Sequence, residues 1–243
     1  WDELRVLGVI SARAAEVEGL ARRHGLRVRT EKRAQTWWVD LERLRARGPG
    51  DWLDALSANT RQQLRRARRG LEKAHGPLGV AQAGSVDEAL RWLDALADLH
   101  RARWAVPGTR SGFDIPSFRA FHRGLVRRAF GAGGVQMLRI TAGDEPLGWL
   151  YNLVLDGHVH FLMSGVDYAR FERFRPGLLA HQAAIGHNLD AGARIYDFLA
   201  GSQRYKASFA TDGDTQHWLV LWRPRPGLVL EDCLRRARQR WRA

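Results

Sequence analysis

Between Asp197 and Lys206 the chain gathers a carboxylate, a phenol (Tyr205) and an ammonium, at the end of the strand-like run Arg194–Leu199 and in the polar segment that follows. At a strand end, Asp197 can orient or deprotonate an amine, or it can cap the following turn. Lys206 stands out by composition. Only Lys32, Lys73 and Lys206 are lysines in a chain whose other fixed cations are arginines, so a retained lysine marks a place suited to a compact point charge. A second cluster, Arg170, Arg173 and Arg175, leads into Pro176-Gly177-Leu178 at the start of an apolar helix. A helix N-terminus presents unpaired N–H groups to an anion, and arginines can add paired hydrogen bonds to phosphate oxygens. The same residues also read as a proline-initiated helix with solvated arginines.

Other residues carry less. Arg61, Arg65 and Arg69 share a helix face at four-residue spacing, with Glu72 the one acidic neighbour in view, and such a stripe is usually a solvated face. His158 and His160 alternate onto one strand face without a third ligand nearby, so no metal site is expected. Ser164 and Cys233 lack the context of a nucleophile elbow, so covalent catalysis is not expected.

The elements that must position these groups are legible from periodicity. Apolar residues at helical spacing mark a helix over 11–24, followed by a strand at Trp37–Leu41 and a turn at Gly48-Pro49-Gly50. Asn59 with Gln62 predicts a capping box opening a basic helix that stops at Gly76-Pro77. A short strand at Gly79–Ala83 precedes two helices, Ser85 to about Trp104 and one starting at Pro116. Three strands follow, Val135–Ala142, Pro146–Leu155 and His158–Gly165, separated by hairpin-turn residues. The middle strand is expected to pair antiparallel with both neighbours. A helix from Pro176 to Gly192, the strand Arg194–Leu199, a strand at His217–Trp222 and a basic helix from Val229 to Trp241 complete the chain.

Composition bounds the class. With 243 residues, 45 % of them hydrophobic, the chain is long enough for one large domain or two small ones with ordinary cores. It begins at Trp1 within patterned sequence, which reads as a fragment of a longer chain. No apolar stretch approaches the roughly 20 residues that span a bilayer. One cysteine allows no internal disulfide, which fits a reducing, cytoplasmic compartment. A net charge of +13 suits phosphates, nucleic acid or an anionic membrane surface.

From Gly79 to Trp222 the order strand, helix, helix, three-strand meander, helix, strand, short helix, strand resembles a GNAT acyltransferase domain. Leu99-His-Arg-Ala-Arg-Trp104, Phe174-Arg-Pro-Gly-Leu-Leu179, Tyr196-Asp-Phe-Leu-Ala-Gly201 and Tyr205-Lys206 look most like the CelD-like acetyltransferases, which are similar to Fem-type aminoacyl transferases. Trp1-Asp-Glu-Leu-Arg5 and Arg65-Arg66-x-Arg68-Arg69 extend the likeness over nearly the whole chain. The resemblance implies an α/β (α+β) fold with a mixed, mostly antiparallel sheet flanked by helices. It implies three parts: 1–75 as the end of a truncated first GNAT-like half, 76–225 as a complete acyltransferase domain, and 226–243 as a basic helix.

It further implies acyl-CoA, such as acetyl-CoA, as co-substrate, with its pyrophosphate held by Arg173, Arg175, Gly177 and Leu178. This loop keeps only Gly177 where the superfamily has more glycine. Lys206, Tyr205 and Asp197 become the expected catalytic residues: Tyr205 sits where many such enzymes keep a leaving-group acid, and Tyr205-Lys206 matches an aromatic-lysine pair of the Fem-type transferases. His100, Arg103, Trp104, Arg65 and Arg69 become expected substrate-binding residues. The expected reaction is direct acyl transfer to an amine, or a hydroxyl, of a sugar, polysaccharide precursor or lipid intermediate. The alternatives are Fem-like transfer from aminoacyl-tRNA, and a degenerate fold that binds nucleic acid or membrane surfaces through the Arg61–Arg69 helix and the Arg235, Arg236, Arg238, Arg240 tail.

Overall fold

The computed structural model describes residues 1–48, 50–105 and 108–240, the side chains of 235–240 excepted. Pro49 of the expected turn, Trp241 of the expected last helix and the side chains of the arginine tail therefore lie outside the description. In chain order the elements are β1 (Glu3–Ile10), α1 (Ser11–Arg23), β2 (Arg27–Asp40), α2 (Leu41–Arg45), α3 (Ala58–His75), β3 (Leu78–Gln82), α4 (Val86–Trp104) and α5 (Pro116–Ala129). They continue as β4 (Val135–Ala142), β5 (Glu145–Leu155), β6 (His158–Val166), α6 (Tyr168–Phe171), α7 (Pro176–Asp190), β7 (Ile195–Ala200), α8 (Arg204–Phe209), β8 (Asp212–Trp222) and α9 (Pro226–Arg240). The chain divides into two compact units, one of residues 1–36, 200–202 and 213 onward, the other of 37–199 and 203–212.

In the first unit β8 lies between β1 and β2, and β1 pairs with it antiparallel from Glu3↔Trp222 to Ile10↔Gln216. Ala14 and Ala21 of α1 bury against Leu219 and Leu221. The strand β1 and the first ten residues of β2 were not expected. Arg27-Val-Arg-Thr-Glu-Lys-Arg33 has too few apolar residues to signal a strand, and ion pairs such as Arg29–Glu3 (3.1 Å) accompany its charges.

The second unit carries the mixed sheet in the order β7-β6-β5-β4-β3. β5 pairs antiparallel with both β4 and β6, as the hairpin turns predicted, while β6 and β7 run parallel. Alternation along β5 sorts the two cores. Trp149, Tyr151 and Leu153 join Leu93 and Leu96 of α4 and Val126 of α5, whereas Leu150 and Val154 join Leu64 of α3 and Leu179 of α7. One glycine sets the spacing of α4: a Cβ at Gly165 of β6 would collide with the Leu96 backbone carbonyl. Helix α4 therefore lies flush on β6, which carries its C-terminal residues His100, Arg103 and Trp104 to the end of that strand.

Two local expectations are corrected. Ser57, not Asn59, caps α3: its hydroxyl accepts from the Thr60 N–H at 3.2 Å, and Asn59 stands inside the first turn. Leu41 leaves the strand because Asp40 accepts from the Arg43 N–H and starts α2.

Candidate active site

The start of α7 has no side-chain cap and no acidic residue in its first turn. Arg175 precedes it in the left-handed conformation, φ 53°. Pro176 has no N–H, and the Leu178 and Leu179 N–H groups turn back onto the Arg175 carbonyl at 3.0 and 3.3 Å. The Gly177 N–H is left at the positive end of the helix, where an anion is favoured. Gly177 also lets the Tyr168 hydroxyl come close, since a Cβ there would meet it and the tyrosine would have to shift. The three arginines of this turn separate. Arg170 is tied to Glu145, Arg173 lies over the Phe174 ring at 4.5 Å, and Arg175 faces open space at the helix start.

The register of β6 and β7 covers His158↔Ile195 to His160↔Asp197. Beyond it, Phe161, Ser164 and Val166 of β6 line cavities instead. One cavity, about 340 Å³, runs from Arg175, Gly177 and Leu178 to His181 and Tyr205, and its lining includes one carboxylate, Glu172. The other, about 290 Å³, is bounded by His100, Trp104, Gln203 and Lys206. Arg103, Ser164, Val166, Tyr168 and Tyr205 line both. The guanidinium of Arg103 lies 4.8 Å from the Tyr168 ring centre, so cation and phenol form one wall between the cavities. Of the expected site residues, the structure thus gathers Arg103, Tyr205, Lys206, His100, Trp104, Arg175, Gly177 and Leu178 around two adjoining spaces.

Burial sets the protonation states. It pushes the Tyr205 phenol up to about 12, reinforced by Tyr168, so the hydroxyl holds its proton at neutral pH. His181 is pushed down to about 3, by burial first and by Lys206 second. His100 is lowered by burial, against a smaller opposing pull from Asp114, and its Nδ1 lies 2.8 Å from Ser111 Oγ.

Asp197 lines neither cavity. Its Oδ1 accepts from the Leu199 N–H at 2.7 Å, and its Oδ2 is 3.5 Å from His160 Nδ1. Lys206 is buried on α8, where its Nζ donates to the carbonyls of Phe198 (2.8 Å) and Leu199 (3.4 Å), and burial lowers its pKa. Leu199 itself has φ 58°, costly for a branched side chain, and Asp197 and Lys206 grip it from the N–H and carbonyl sides.

The Arg61–Arg69 stripe has acidic partners that lie apart from it in sequence. Arg61 pairs with Asp54 (3.4 Å) and Arg65 with Asp51 (3.0 Å), while Glu72 takes Arg68 (2.7 Å). Neither Arg65 nor Arg69 lines the two cavities. Among the described residues no group of three or more His, Cys, Asp or Glu could hold a metal ion; His158 and His160 sit side by side with ring centres 6.1 Å apart. Sequence reading missed His181, which looked like one more residue of an apolar helix, and Tyr168, hidden in a loop of charges. It also missed the face of α3 bearing Asn59, Gln62, Gln63 and Arg66, whose helical spacing was available as a signal.

Comparison with known proteins agrees with this architecture. FemX superposes with a TM-score of 0.60 at 10 % identity, over 88 % of this chain and 71 % of that one. The L-PGS structure from Bacillus licheniformis gives 0.55 at 12 % identity, over 96 % and 71 %. A conserved protein of unknown function from Bacteroides thetaiotaomicron VPI-5482 gives 0.59 at 10 %, over 90 % and 69 %. At these identities the likeness concerns the fold. No curated protein matches the sequence. The family described as "Acetyltransferase (GNAT) domain" matches residues 58–207, more than half of the chain and all of the residues lining both cavities, and this chain therefore belongs to the GNAT acetyltransferase-domain family as an N-acyltransferase.

Proposed function

We propose that the protein transfers an acyl group from acyl-CoA directly to an amine, less readily a hydroxyl, of a sugar, polysaccharide precursor or lipid intermediate, as expected of the CelD-like branch. The observation that carries this reading is the junction of two cavities at Arg103, Tyr168 and Tyr205. The donor occupies the cavity at the α7 start, where the Gly177 N–H and Arg175 suit its pyrophosphate and the aromatic inner end suits a thioester. The acceptor enters beside His100 and Trp104, stacked with ring centres 5.9 Å apart, a platform on which a sugar ring can rest.

At the junction the neutral amine attacks the thioester carbonyl. The carbon–sulfur bond breaks, the departing thiolate takes the Tyr205 proton, and the new amide nitrogen returns a proton to the Tyr205 oxygen. Lys206 supplies a cation at the edge of the acceptor cavity, where negative charge develops on the acyl oxygen. Asp197 acts through the backbone as a positioning residue by fixing Leu199. We assign residues 1–75 to the end of a first GNAT-like half, and the reducing cytoplasm as the place of work, which one free cysteine and a CoA donor both suit. Among the described residues no helix is long and apolar enough to cross a membrane.

The test is thermal denaturation with saturating acetyl-CoA or with aminoacyl-tRNA. A ligand that binds the native state raises the melting temperature by mass action. Stabilisation by acetyl-CoA is the expected result. Stabilisation by aminoacyl-tRNA alone would favour aminoacyl transfer, and salt-sensitive binding to arbitrary nucleic acid without either would favour a binding module.

A further inference from the structure

Helix α9 is anchored at its start. Arg225 pairs with Asp2 at 2.7 Å, and the Val229 N–H donates to the Arg225 carbonyl at 2.9 Å. Leu228 and Val229 are half-buried and Asp232 is only 5 % exposed, so the helix face that these three share is turned inward. Leu230 and Leu234, one turn apart, lie on the opposite face and are 63 % and 54 % exposed. A surface helix ordinarily buries its leucines and shows its charges. In α9 a carboxylate is inside and two leucines are outside.

We propose that α9 is a membrane-surface helix: Leu230 and Leu234 enter the headgroup region of an anionic bilayer, and the arginines that follow them hold the lipid phosphates. Charge selects this occupant. From Cys233 onward the sequence has five arginines, Arg235, Arg236, Arg238, Arg240 and Arg242, and no Asp or Glu. In the sequence the apolar spacing of four and three residues also continues from Leu234 to Ala237 and Trp241. A basic helix with an apolar stripe lies in the plane of a lipid interface, where burial of the stripe and attraction to anionic lipid act together. At 15 residues α9 is too short to span a bilayer, so it lies on the surface.

Two other occupants fit less well. A nucleic acid would use the arginines for its phosphates but gain nothing from two outward leucines. A second copy would set two leucines against two, well short of the roughly 800 Å² that each partner buries in a stable interface. Lipid needs no matching surface, and it rewards both features. Held in this way, the chain would meet a lipid intermediate in preference to a dissolved sugar. That consequence rests on the acyl-transfer reading above, whereas the surface itself does not.

Co-sedimentation of the full chain with vesicles, of phosphatidylcholine alone or of an equimolar mixture with phosphatidylglycerol, tests this. The chain should bind the mixed vesicles, less tightly as salt rises, and ignore phosphatidylcholine alone. Leu230→Ser with Leu234→Ser should weaken that binding at least about tenfold. Because both side chains are exposed, the melting temperature and its rise with acetyl-CoA should stay as in the parent. If the parent ignores the mixed vesicles, or the serine variant binds them as tightly, the membrane assignment falls and the acyl-transfer reading is untouched. Salt-sensitive binding of an oligonucleotide in place of vesicles would make α9 a nucleic-acid contact, and a dimer in analytical ultracentrifugation that the serine pair abolishes would make it a contact between copies; either overturns the proposal. If the vesicle results are as expected but acetyl-CoA does not stabilise the parent, the surface stands and the donor reading falls.

Discussion

Tyr205 stacks on His181 with ring centres 5.1 Å apart and 19° between the planes, and His181 Nδ1 in turn meets the buried Tyr196 hydroxyl at 3.2 Å. The phenol at the junction of the cavities is thus oriented by a neutral imidazole from inside α7. Tyr205→Phe keeps the ring and the stack but removes the proton donor. Turnover of acetyl-CoA with a working acceptor should fall about a hundredfold or more, with the donor KM and the melting temperature nearly unchanged. A variant with parental turnover would remove Tyr205 from the chemistry.

His181 also predicts a pH dependence of stability. Its folded pKa of about 3 lies below the unfolded value of 6.5, so between these limits the unfolded chain binds a proton that the folded chain does not. The His181 contribution is therefore complete above pH 6.5 and is lost as the pH falls toward 3, by about 2 kcal/mol at pH 5. His181→Gln should have a flatter fall in melting temperature between pH 7.5 and 5 than the parent. Equal slopes would show that His181 titrates normally or is accessible. His100, His122 and His187, also lowered by burial, supply a residual slope in both proteins.

Asp197 and Lys206 hold Leu199 in a conformation that glycine adopts without strain. Asp197→Ala should cost about 1–2 kcal/mol by orphaning the Leu199 N–H. Adding Leu199→Gly should recover most of that loss and most of the turnover, if Asp197 only positions the strand end. Recovery of stability without turnover would instead give Asp197 a direct part in the reaction. Because Lys206 bonds to two carbonyls, Lys206→Ala is expected to lower the melting temperature as well as turnover.

Arg173→Ala with Arg175→Ala should raise the acyl-donor KM about tenfold or more with little change in turnover, since charge-assisted phosphate contacts contribute roughly 1.5–3 kcal/mol each. Steady-state kinetics over a range of acetyl-CoA concentrations decides it. An unchanged KM would move the donor away from the α7 start.

Much of this was legible from residue patterns alone. Pro176 with its apolar helix, the hairpin turns around β5 and the Ser85 cap gave α4, α5, α7 and the strands β3 to β7 to within a residue or two, because each is signalled by strong local chemistry; the short helices α2 and α6 were not expected. The strand β1 and the charged part of β2 were not, since the residues that reach their core, Val6, Val9 and Val28, are few and irregularly spaced among charges and do not show a clear strand period. Within the site, Tyr205 and Arg103 were reached through the family resemblance, and Lys206 also through its rarity as a lysine. His181 and Tyr168 were not, because their importance comes from ring stacking on Tyr205 and from the approach of Arg103, which the fold brings together. The α3 face was misjudged for a related reason: Asp51 and Asp54, which neutralise Arg61 and Arg65, precede the helix and meet it only after the chain turns.

A crystal structure of the chain with CoA bound tests the central claim most directly. The account predicts the pyrophosphate against the Gly177 N–H and Arg175, and the thiol at the junction of the cavities within about 3.5 Å of the Tyr205 hydroxyl, the reach of a proton transfer. CoA found elsewhere on the protein, or bound at α7 with its thiol turned away from Tyr205, would contradict it.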